Sequence, residues 1–105
     1  MHRKVVVCII MLTSLWITTD LALAADGSDL FVRKCGSCHQ PQGKAKVVNP
    51  ADKADVVWKK YFKRDRHPVK LSTIGSEDEL AHILNYLRQH AADSDSPEAA
   101  AIPRG

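Results

Sequence analysis

Three reactive side chains fall within five residues, Cys35-Gly36-Ser37-Cys38-His39. Two thiols and an imidazole at this spacing suit three kinds of chemistry. The pair could form half of a zinc site, or a dithiol that exchanges with disulfides. Alternatively, both sulfurs could bond to the vinyl-derived carbons at a porphyrin edge while the imidazole reaches the iron from one face. Zinc usually takes four protein ligands, and the only other cysteine, Cys8, lies in the N-terminal segment. A thioredoxin-like dithiol belongs to a βαβ unit, and no strand pattern surrounds this one. Cys-x-x-Cys-His is the attachment signature of c-type haem. On this reading Cys35 and Cys38 hold one haem c covalently, and His39 is the proximal iron ligand. Gly36 and Ser37 are small enough to let the backbone lie close to the porphyrin.

The start of the chain places this motif in an exported protein. His2, Arg3 and Lys4 precede an apolar run from Val5 to Ile17, and Ala22-Leu23-Ala24 follows. A basic start, a short apolar stretch and an A-x-A site make a secretory signal peptide over 1–24. The run is short of the ~20 residues that span a bilayer. No stable membrane insertion is therefore expected after cleavage, and the location is periplasmic or otherwise exported. The remaining 81 residues hold two cysteines, four histidines and no methionine. A chain of this size closes only a small core of its own. A Cys35–Cys38 disulfide would close too short a loop to help much. Haem is the centre that could hold it together.

Helical patterns account for most of what remains. One helix is predicted over 27–38. A second starts at Asn49-Pro50-Ala51-Asp52, where Asn caps, Pro suits the first turn and Asp complements the dipole. It runs to Arg64, with Ala54, Val57, Trp58, Tyr61 and Phe62 as one apolar stripe. Trp58, Tyr61 and Phe62 are the candidate haem-pocket residues. The segment 65–75 reads as a loop with room for one short turn, and Pro68 disfavours helix at His67. Ser76-Glu77-Asp78-Glu79 forms a capping box for a last helix to Ala91, with Leu80, Ile83, Leu84 and Leu87 buried. His82 lies off that stripe and should face solvent. His90 is expected inward at the helix end, where its charge suits the dipole. The domain is set at 25–92, and the acidic, proline-containing tail 93–105 reads as disordered.

Both ends of this domain resemble class I cytochromes c. Gly27-Ser-Asp-Leu-Phe31-Val-Arg-Lys-Cys35 is similar to the family's N-terminal helix, and Glu79-Leu-Ala-His-Ile-Leu-Asn-Tyr86-Leu-Arg88 to its C-terminal helix. The resemblance implies an all-α fold of three to four helices around one haem. It implies that Gly27 lets these helices cross closely and that Phe31 and Tyr86 meet at the crossing. It does not extend to the middle, which is shorter than in most members. The family usually ligates iron with His and Met, so the missing methionine is a departure. His67 stands where the family's ligand loop lies, followed by Pro68, and is the expected sixth ligand.

Bis-His ligation leaves no coordination position for substrate, so the expected role is a one-electron carrier rather than an enzyme. Without Met its potential should be low. A vacant or labile sixth site would instead suit a haem enzyme or a sensor of gas or peroxide, and a third role is a fixed relay in an assembly. From Arg33 to Lys70 eleven basic residues face three acids, while Ser76 to Glu98 carries six acids and one Arg. The basic segment suits a redox protein partner with an acidic docking face. One short basic region in an exported chain argues against nucleic acid. No nucleotide-binding glycine loop or catalytic triad is present.

Overall fold

The computed structural model describes residues 27–105, which are helical with no strand among them. The signal peptide expected over 1–24 lies outside the described residues. Helix α1 occupies 27–30 and continues as a π-helical turn, Phe31–Cys35. Helix α2 is Asp55–Arg64 and α3 is Glu77–Gln89. Two short 3-10 turns, Pro50–Asp52 and Leu71–Thr73, lie in the connections.

The α1–α3 crossing follows from three residues. At Gly27 a Cβ would stand 2.8 Å from the His82 carbonyl oxygen and 3.0 Å from the Tyr86 Cβ, so only glycine permits this approach. One turn on, the Phe31 and Tyr86 rings meet with centroids 5.8 Å apart, tilted by 46°. A part-buried Lys34–Glu79 ion pair at 3.3 Å closes the same interface. Glu79 also completes the capping box: its carboxylate accepts the Ser76 N–H at 3.0 Å, and its own N–H donates to Ser76 Oγ at 3.2 Å. The Ser76 N–H, and then the Lys34 ammonium, hold the Glu79 carboxyl below its usual range. Leu30, Phe31, Trp58, Ile83, Tyr86, Leu87, Ala91 and Ile102 form the buried apolar core.

Three expectations need correction. The helix expected from Pro50 to Arg64 is broken at Lys53 and Ala54, which are extended (ψ 154° and 158°). Contacts distant in sequence take over there: Ala92 N–H donates to the Lys53 carbonyl at 3.0 Å, and Asp93 Oδ1 accepts the Asp55 N–H at 2.8 Å. Asp93 thus caps α2, whose own N-cap residue, Ala54, has no side-chain acceptor. Val57, placed in the stripe by periodicity, is 42% exposed, because the buried arc of α2 centres on Trp58. His82 is half-buried rather than solvent-facing, since its backbone abuts α1.

The tail reading fails for a related reason. Residues 93–105 do not hang free but fold back over 49–55. Asn49, fully buried, pairs its side-chain amide with the backbone of Ile102: Nδ2 donates to the carbonyl at 3.0 Å, and Oδ1 accepts the N–H at 2.7 Å. Ala51 N–H donates to the Glu98 carbonyl at 2.9 Å, and Tyr86 Oη donates to Glu98 Oε2 at 2.7 Å. His90 does not cap its helix with its ring. The ring packs 5.0 Å from that of Tyr86, and Nδ1 donates to the Ser96 carbonyl at 2.8 Å. Few apolar residues are needed because main-chain hydrogen bonds and one buried Ile102 do the work.

Two outcomes follow for stability. Gly27→Ala adds a methyl against backbone, offset in part by alanine's helix propensity, and should cost about 1–2 kcal/mol in chemical denaturation. Burial, and then the bond to Glu98, push the Tyr86 hydroxyl up to about 12. The folded state therefore keeps this proton longer than the unfolded chain, whose tyrosines titrate near ~10. The stabilisation is complete below that pH and is lost as pH rises through the folded value. Stability should fall across this alkaline window, and Tyr86→Phe should flatten the fall.

Candidate functional site

The π-helical turn at the end of α1 sets up the Cys-x-x-Cys-His segment. Its wide turn is closed by Gly36 N–H donating to the Phe31 carbonyl at 3.2 Å, and such turns are common at functional sites. Cys38 and His39 N–H groups then both donate to the Cys35 carbonyl, at 3.2 and 2.9 Å. A side chain at position 36 would run into the Val32 carbonyl, so the tight turn between the cysteines needs glycine. Ser37 Oγ donates to the Lys34 carbonyl at 3.0 Å and ties the turn back to α1.

This turn forms one side of a cavity of about 860 Å³. Phe31 and Leu87 come to it from the α1–α3 pair. Trp58, Tyr61 and Phe62 come from α2, at the one-turn spacing that puts them on one face. Val47 and Val48 close one edge, and His67, Pro68, Val69, Leu71 and Ile74 line the loop side. The structure thus brings Cys35, Cys38, His39, Trp58, Tyr61, Phe62 and His67 to a single space. Trp58 is held there by Nε1 donating to the Pro50 carbonyl at 2.8 Å. Tyr61 stands edge-on to His67, with centroids 6.4 Å apart and planes at 87°. Lys53 Nζ lies 5.8 and 5.9 Å from the centroids of Trp58 and Tyr61, a cation over two ring faces at the cavity rim.

The two imidazoles are prepared alike. His39 Nδ1 donates to the Lys46 carbonyl at 2.6 Å, and His67 Nδ1 donates to the Val69 carbonyl at 2.6 Å. A carbonyl can only accept, so both rings carry a proton on Nδ1, the tautomer that in a neutral imidazole leaves the lone pair on Nε2. The ring centroids lie 6.1 Å apart, with the planes tilted by 56°. His82 and His90 do not reach the cavity.

The cysteines suit attachment better than redox exchange. Burial, with the neighbouring Cys38 adding to it, pushes the Cys35 thiol up to about 11. A redox dithiol needs the opposite shift, because the thiolate is the nucleophile. No cluster of three or more His, Cys, Asp or Glu that could hold a metal ion exists among the described residues. A large, mostly apolar cavity with two thiols and two imidazoles on its wall has the lining to hold a haem.

Sequence reasoning overlooked part of this wall. Val47, Val48, Val69, Leu71 and Ile74 sit in loops without periodicity, although the Val47-Val48 pair is an apolar signal in a polar stretch. The Lys46 carbonyl that orients His39 is main chain and leaves no trace in residue type.

Residues 24–91 match the family model described as Cytochrome c, about two-thirds of the chain. No curated protein and no solved structure matches the chain.

The cavity also generates an expectation about folding. Phe31, Trp58 and Leu87 belong both to its wall and to the buried core, so a haem held there would pack directly on the core and extend it. Cys35→Ala combined with Cys38→Ala should abolish covalent attachment and leave most of the helical circular dichroism signal lost. Wild-type helicity in that variant would contradict the dependence.

Proposed function

The chain belongs to the cytochrome c family, and on that premise we propose that it is an exported, low-potential, one-electron carrier whose haem iron is bound by His39 and His67. The family is one of electron carriers with covalently bound haem c. The haem supplies reversible exchange of a single electron at iron. The rest is done by this chain's residues. Cys35 and Cys38 fix the group in place. His39 and His67 each offer Nε2 while a backbone carbonyl holds Nδ1–H, which fixes the ring orientation and strengthens the imidazole as a ligand. Phe31, Trp58, Tyr61, Phe62 and Leu87 keep water from the group.

The spacing of the two rings is the observation that carries this reading. An imidazole nitrogen binds a first-row metal at about 2.0 Å and lies about 1.1 Å from its ring centroid, so two rings on opposite sides of one ion would have centroids about 6.2 Å apart. The separation here is 6.1 Å. The described chain, like the whole sequence after residue 24, offers no methionine to compete. Two imidazoles stabilise ferric iron more than an imidazole and a thioether do, so the potential is low.

Export rests on the segment 1–24 described from sequence. Among the described residues no helix is long and apolar enough to cross a membrane. Arg33, Lys34, Lys44, Lys46 and Lys53 all reach the cavity, which supports docking to a redox partner through an acidic face.

The variant His67→Ala in the haem-loaded protein tests the ligand pair. It should turn the reduced iron high-spin and make it bind CO, while His82→Ala and His90→Ala should leave the optical spectrum unchanged. Retention of the wild-type low-spin spectrum by His67→Ala would refute His67 as ligand.

A further inference from the structure

We infer that the C-terminal segment 93–105 is a positioning element for the iron site, acting through Asn49 on the carbonyl that orients His39. The inference rests on His39 as an iron ligand and does not depend on His67.

This segment lies beyond the residues that match the family, which end at 91. Its contacts concentrate on 49–55. Asn49 holds the backbone of Ile102 at both ends of its amide, and Asn49 is the one fully buried polar side chain of the described core. Removing either partner would leave buried polar groups unpaired, so this pairing is expensive to break. Further along, Glu98 accepts the Ala51 N–H, Arg104 pairs with Asp52, Ala92 bonds the Lys53 carbonyl, and Asp93 caps α2. The Ile102 side chain reaches the turn between the cysteines: its Cδ1 lies 3.5 Å from where a Cβ on Gly36 would be.

The gripped stretch is short and ends in the cavity on both sides. Val47 and Val48 lead into it, and Lys53 and Trp58 lead out of it, and all four line the haem cavity. Lys46, whose carbonyl accepts the His39 Nδ1–H at 2.6 Å, stands three residues before Asn49 and directly after Ala45, whose N–H donates to the Cys38 carbonyl at 3.1 Å. Nothing in 44–48 is helical, so that carbonyl is held between two anchors, the Ala45–Cys38 bond on one side and Asn49 on the other, and loosening Asn49 frees it on that side. A carbonyl that accepts this proton makes His39 a stronger donor to iron and favours the ferric state. Loosening Asn49 therefore weakens that bond and favours the ferrous state.

The test uses the haem-loaded protein carrying Asn49→Ala in the full chain or, should that not fold, a chain ending at Ala101, which removes the same two hydrogen bonds. Two readouts are taken, hydrogen exchange of the His39 Nδ1–H by NMR and the midpoint potential. The exchange should accelerate about tenfold, because two hydrogen bonds that hold the loop closed are lost. The potential should move upward. Leu84→Ala, a partly buried core change away from the tail and from Lys46, should lower the melting temperature and move neither readout. Exchange at the wild-type rate in a folded variant overturns the proposal. An unmoved potential despite faster exchange overturns the link to iron, and with it the proposal. Failure of the underlying ligand assignment is separately visible: in the unmutated ferric protein the His39 ring protons would then lack the large shifts of an iron ligand.

Discussion

Everything in this fold depends on a covalently tethered centre. The buried core of the described chain comprises only eight apolar residues, and Val47, Val48, Tyr61, Phe62, Val69, Leu71 and Ile74 line a cavity beside it. A domain of this size buries a modest share of its surface and is correspondingly marginal by itself. The two thiols convert a ligand that would dissociate into part of the chain, so the apolar walls always have something to pack on. The helices are then arranged about it: α1 delivers the thiols, α2 an aromatic face, and α3 the helix that α1 crosses at Gly27.

The same economy explains the hydrogen bonds. Each imidazole at the cavity uses its Nδ1–H on a loop carbonyl, so loops without regular structure decide how the two Nε2 atoms point. Those loops are in turn held from outside. The tail grips 49–55, and Pro50 within that stretch accepts the Trp58 indole N–H. A short middle region, which has few residues to fold on itself, is stabilised by residues from the far end of the chain.

What the sequence revealed was local chemistry. The Cys35–His39 motif, the Ser76–Glu79 capping box and the Gly27, Phe31 and Tyr86 crossing each depend on residue types at short or familiar spacing, and the structure has the box and the crossing as expected. What it concealed was non-local and mostly main chain. The break at Lys53 and Ala54 comes from bonds to Ala92 and Asp93, which no helical propensity registers. The tail looked disordered because composition counts apolar residues, whereas its docking uses one Ile102, an Asn49 amide and backbone groups. His67 stands out in the sequence through the missing methionine, its loop position and Pro68; the distance of 6.1 Å between its ring and that of His39 is what only the structure gives.

The bis-His carrier reading is most directly tested by the optical spectrum of the matured protein, oxidised and reduced, with and without CO. A low-spin spectrum in both states that CO leaves unchanged is the result expected when His39 and His67 fill both axial positions. A reduced protein that is high-spin, or that binds CO readily, would contradict it.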